Sequence, residues 1–240
     1  MTADGWTRAV RHQLGLGRLL PLGGPRDGVW IAEAAVRAVL LRAAADVPGV
    51  VPGPLRITLA EPEDAPEAAV PAPPAGFPPG PLRVTADFAA TAAEPLPATA
   101  SRLRLALAST AADGLGLTVA EVDLRVTDLL EEPTEPAEVS PPQPARAREA
   151  TDPDEVRAAA AALSVPGVTH LTGSLGGLGR AVHIEERQQE EAALPHRHVR
   201  VEVAVDGRRR ALDVARQVRT AVRESLDDHP TVAVLVTTVS

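Results

Sequence analysis

Two stretches of the chain repeat one pattern of apolar and polar positions. From Ile31 to Ala45, residues Ile31, Ala34, Ala35, Ala38, Val39 and Leu41 or Ala45 fall at helical spacing, while Glu33, Arg37 and Arg42 lie mostly off that face. The stretch ends in Val47-Pro48-Gly49-Val50. Proline disfavours the helical region at the residue before it, and glycine takes the positive φ that turns the chain. The same four residues return at Val165-Pro166-Gly167-Val168, again behind an Ala-rich run. That second run starts with Asp152 as candidate N-cap, Pro153 at the first helical position and Glu155 in the first turn. Val156, Ala159, Ala160 and Leu163 make its expected buried face.

The patterns that follow each tetrapeptide also match in order. After the first come an extended run at Arg83–Phe88, a helical run from about Ala98 to Ala112, and strand alternation over Leu117–Leu129. After the second come His198–Val205, a helix from about Arg209 to Leu226, and a strand over Thr231–Val239. Matching residues with matching order and spacing predict a structural duplication. The expected fold is α+β: two tandem copies of a small α-β-β-α-β domain, with helices packed on one face of a short sheet. The division reads as an N-terminal arm (1–26), a first domain (27–130) with a proline-rich insertion at 60–81, a proline-rich linker (131–150) and a second domain (151–240).

Composition narrows the chemistry. The 240 residues carry a net charge of −8, two Trp, two Phe, no Tyr and no Cys. The missing Cys excludes disulfides, thiol nucleophiles and zinc–thiolate sites. The negative charge and scarce aromatics argue against nucleic-acid binding, which draws on basic surfaces and stacking platforms. All 24 basic residues are Arg, and the absence of Lys and Asn, both with AT-rich codons, points to a GC-rich bacterial genome. With no span-length apolar run and no signal-peptide pattern, the expected location is the cytoplasm.

Candidate sites are few. Trp6, Val10 and Leu14, spaced by four, suggest a short amphipathic helix, read either as a partner-docking element or as an arm packed on the first domain. The tract Leu59–Pro81 has eight prolines and an acidic cluster, and reads as an extended insertion with no core of its own. Gly173–Arg180 is glycine-rich but lacks the Gly-Lys-Ser/Thr of a phosphate loop and is followed by a strand pattern at Ala181–Ile184. Its Gly176-Gly177-Leu178-Gly179 fits the GxxG of KH modules, which should join two helices. His183, His196 and His198 make an imaginable metal site, with neutral solvent-facing histidines the simpler reading. No catalytic residue, cofactor site or metal site is therefore expected.

Asp27-Gly28-Val29-Trp30-Ile31, the Ala-rich helix after it and Val47-Pro48-Gly49-Val50 resemble the opening of the alkaline shock protein family of Gram-positive bacteria. Val214–Val222 resembles that family's Val-Gln-x-x-Val helix, and each final Val-rich strand resembles its terminal strand. The proline tract is longer than the family's strand connection, and the second copy lacks the Gly-x-x-Ile lead-in, which points to a divergent tandem actinobacterial relative. The resemblance implies a non-enzymatic, cytoplasmic, membrane-peripheral scaffold or interaction protein of the envelope stress response. Its implied partners are homologous family proteins and a small membrane-anchor protein, in a homo- or hetero-oligomer. The alternative is an RNA-binding module of KH-like topology.

Overall fold

In the computed structural model, residues 15–132, 137–174, 179–187 and 196–240 are described. They form a mixed α+β structure with two sheets. The elements in chain order begin with β1 (Leu19–Pro21), β2 (Val29–Ala32), α1 (Glu33–Ala45), β3 (Val50–Leu59), β4 (Leu82–Thr91), α2 (Leu96–Ser109) and β5 (Val119–Leu130). There follow α3 (Pro153–Leu163), β6 (Val168–Leu171), β7 (Val182–Arg187), β8 (His196–Val205), α4 (Ala211–Glu224) and β9 (Thr231–Val239).

The smaller sheet has the order β3-β4-β5, with β3 antiparallel and β5 parallel to β4. The larger runs β1-β2-β9-β8, and β6 and β7 both pair with β8 on the same side, one beside each end of it. β9 is parallel to both β2 and β8, and is therefore the central strand. Such a strand is covered on both faces and reads as a continuous apolar run rather than an alternation, as Thr231-Val-Ala-Val-Leu-Val does. Every residue of it from Val232 to Val239 is buried.

β2 is the lead-in to α1, yet it lies beside β9 rather than in the smaller sheet. The stretch read from sequence as a separate arm contributes here too: its described part carries β1, and Leu16, Leu19, Leu20 and Leu22 are buried. The proline tract likewise packs on this sheet, although proline content suggested that it stays outside any core. Val70 is fully buried, Leu19 donates to Ala75 O (3.2 Å), Phe77 donates to Leu19 O (2.8 Å), and the Trp30 indole N–H donates to Phe77 O (3.0 Å). The Arg18 guanidinium lies 4.8 Å above the Phe77 ring.

The buried residues form one continuous cluster. A π-helical turn, Thr110–Leu115, carries the end of α2 to α4: Gly116 approaches Leu212 so closely that a Cβ would meet it at 2.4 Å, and Arg210 Nε donates to Ala112 O (3.1 Å). Asp27 accepts both Arg216 Nε (2.8 Å) and Nη2 (2.9 Å), joining the chain before β2 to α4.

Candidate functional site

The two tetrapeptides make the same turn. Val50 N donates to Val47 O (3.2 Å) and Val168 N to Val165 O (3.1 Å), with Pro at the second position and Gly at the third. Gly49 has φ +75° and Gly167 φ +105°, the positive values a type II turn requires there. Val47 and Val165 are both buried, whereas Pro48 and Pro166 are exposed. The bonds around each turn match as well: Gly49 O accepts from Thr91 N and Gly167 O from Asp206 N, both at 2.9 Å.

The agreement extends through the strands. In the smaller sheet one extra residue, Thr127, interrupts the β4/β5 register after Phe88, and its hydroxyl donates to Phe88 O (3.2 Å). In the larger sheet Thr237 interrupts the β8/β9 register after Val203 and donates to Val203 O, also at 3.2 Å. The β3 register shifts between Pro52 and Leu55; at the corresponding place β6 stops at Leu171 and β7 takes up the pairing at Val182. The glycine-rich loop thus joins two strands, where a KH loop joins helices.

The histidines do not assemble a site. Register puts His183, Glu185, His198 and Arg200 on one face of β7/β8. His183 and His198 are buried rather than solvent-facing. His183 Nε2 bonds to Arg180 O (3.1 Å) and His198 Nδ1 to Thr231 Oγ1 (2.9 Å). Burial, reinforced by the nearby Arg200 guanidinium, lowers the His183 pKa below the usual histidine range. No group of three potential metal ligands occurs among the described residues.

Glu202 is a residue that sequence reading passed over. It is fully buried in β8 and accepts a bond from Ser174 N (2.7 Å). Its position in His198-Val-Arg-Val-Glu-Val alternates with the core valines, as a residue of a solvated face would. Local alternation carries no sign of what packs over that face.

Trp6, Val10 and Leu14 lie outside the described residues, so the docking reading of that stripe finds no geometry here. The structure presents a different surface at β5. Among the described residues β5 pairs with β4 alone, leaving its other edge open along 12 residues. Its outer face is charged and laddered to β4: Arg83 bonds Glu121 (2.6 Å), and Arg125 holds Asp87 with two hydrogen bonds. The bonds from Arg125 keep the Asp87 carboxyl below its usual range. On the opposite face Val126 and Leu129 are 39% and 56% exposed, and Leu105 of α2 is 70% exposed. Arg104 Nε donates to Val122 O (3.2 Å), supplying one edge carbonyl with a partner.

No helix among the described residues is long and apolar enough to cross a membrane. Comparison of the chain with family models and with curated protein sequences returns no match.

Proposed function

We propose that this chain is a non-enzymatic assembly protein built from two tandem α-β-β-α-β units, α1 to β5 and α3 to β9, and that it works as a membrane-peripheral scaffold in the bacterial cytoplasm. The tandem reading draws support from the paired turns, from equivalent helix and strand order, and from the two bulge threonines with identical carbonyl bonds. The envelope-stress role rests on the resemblance to alkaline shock proteins carried by Gly28–Ile31, Val47–Val50 and Val214–Val222.

The observation that carries the assembly role is a break in the pseudo-symmetry. In the second unit the outer edge of the last strand, β9, is closed by β2. The equivalent edge of β5 has no partner among the described residues, and residues before α3, which by order would correspond to β2, run along β6 instead, with Ala147 N donating to Leu171 O (3.0 Å). An open edge beside exposed Val126 and Leu129 is a template for strand addition by a partner. A homologous scaffold protein or a small membrane anchor is the partner that the resemblance suggests.

The test is fractionation of native cells, with purified lipid vesicles in parallel. Wild-type protein is expected with the membranes but not on the vesicles. Leu129→Asp, which leaves the core intact, should move it to the soluble fraction. Wild-type protein found wholly soluble in its own cells would refute the membrane role, and undiminished co-sedimentation of Leu129→Asp would refute the β5 edge.

A further inference from the structure

The helix α3 turns the wrong stripe to its core. Sequence spacing assigns Val156, Ala159, Ala160 and Leu163 to the buried face, but the buried positions are Glu155, Ala158 and Ala162. Val156 and Leu163 are 45% and 51% exposed. The stripe instead forms one wall of a cleft of about 500 Å³, floored by Leu171, Ala181 and Val182. That volume lies within the range of small-molecule sites, which are mainly apolar with a few convergent polar groups.

The polar groups converge from the opposite wall. Residues 145–148 run antiparallel along the end of β6, with Gly173 N donating to Ala145 O (3.0 Å) and Arg148 N to Gly179 O (2.7 Å). This places Arg146, Arg148 and Arg180 around the cleft. Arg180 is held by Glu155 (2.9 Å), and its Nε is buried with no hydrogen-bond partner among the described residues. Arg146 and Arg148 are exposed and make no ion pair among the described residues. Against three guanidiniums stand two carboxylates, Glu149 and Glu155, leaving one positive charge in excess. No Phe, Trp or Tyr lines the cleft, and its one ring is the His170 imidazole, so the broad stacking surface a nucleobase would use is missing.

We propose that this cleft binds a medium-chain aliphatic carboxylate, its tail along Val156–Leu163 and its carboxylate among Arg146, Arg148 and Arg180. One anionic oxygen pair answers the single excess charge, and guanidinium forks match carboxylates in a bidentate geometry. The stripe spans seven helical steps, about 10 Å at the helical rise, so the matching tail is roughly eight to ten carbons long.

The experiment is titration calorimetry of the full chain with hexanoate, octanoate and decanoate at submicellar concentration, with octanol as the neutral control. Affinity should rise about threefold to fourfold for each added methylene along this series. Octanol should bind at least tenfold more weakly than octanoate, and Arg146→Glu/Arg148→Glu should lose at least tenfold for octanoate while keeping the wild-type circular dichroism spectrum. Because both arginines are exposed, a folding failure of that variant is not expected; Val156→Asp gives an independent reading and should weaken binding as much. No binding of octanoate or decanoate at millimolar concentration, equal binding of octanol, or unchanged affinity in both variants would each overturn the proposal.

Discussion

Replacing each turn glycine by alanine tests whether the two Val-Pro-Gly-Val turns are built alike but packed differently. A Cβ at Gly49 meets Thr91 Oγ1 at 2.7 Å and nothing else closer than 3.9 Å. At φ +75° an alanine sits near the left-handed well, which costs L-residues about 1–2 kcal/mol, partly offset by a less flexible unfolded chain. Gly49→Ala should therefore destabilise by about 1 kcal/mol. At Gly167 φ is +105°, beyond that well, and the added Cβ meets Arg209 Cδ at 2.7 Å and Val214 Cγ2 at 2.8 Å. The Arg209 side chain is able to move, but Val214 is buried in the face of α4 that packs on the sheet. Overpacking of that kind costs about 1–3 kcal/mol on top of the backbone term, so Gly167→Ala should lose about 3 kcal/mol. Urea denaturation of both variants, with slopes compared to wild type, measures the two values. If Gly167→Ala unfolds within about 0.5 kcal/mol of wild type, or Gly49→Ala costs the more of the two, the packing behind the second turn is not as described.

Two further predictions concern charge. Burial tends to raise the Asp27 pKa, but the Arg216 fork and the Gly24 N–H bond outweigh it and the pKa is lowered. Stability from Asp27 is thus present above the unfolded value near pH 4 and lost as pH falls through the folded value; Asp27→Asn should cost about 1 kcal/mol at pH 7, discounted for the half-exposed Arg216, and flatten the acid limb of a pH–stability curve. His183 has its pKa lowered by burial, so the unfolded chain binds its proton more readily and stability should decline as pH falls below about 6.5. His183→Gln should shrink that decline, and an unchanged slope between about pH 6.5 and 5 would show that His183 accepts a proton in place.

The α+β class, the main helices and both turns were legible because each depends on local pattern: 3.6-residue spacing, Pro-Gly punctuation and valine runs. Thr231–Val239 was located from its valines alone. The partner of each strand was not legible, because pairing is a long-range property that local spacing does not encode. Leu16–Leu22 gave no strand signal, since Gly17, Arg18 and Pro21 break the alternation and only pairing with β2 makes the segment extended. Val70 and Phe77 were hidden among prolines, whose composition signals exclusion from a core even where a neighbouring sheet edge supplies one. For α3 the error was one of direction. Two apolar stripes are available on a helix as rich in alanine as this one, and the one that faces the core is Ala158 and Ala162, with Glu155 on the same side held by Arg180.

β2 closes β9, the proline tract lies over Trp30, and the π-turn at Thr110–Leu115 presses Gly116 on Leu212, so residues before α3 contribute to the packing of the larger sheet and α4 at three places. Among the described residues no strand after β5 pairs with it. Edge strands carry a standing aggregation hazard that evolution suppresses with charge, bulges or cover. β5 carries the first two, in its Arg83, Glu121, Arg125 and Asp87 ladder and in the Thr127 bulge, but keeps Leu129 and Val126 uncovered. Charge on one face with exposed apolar side chains on the other admits a strand only in the orientation that buries Val126 and Leu129, so the asymmetry between β5 and β9 supports a directed docking edge rather than an unfinished sheet.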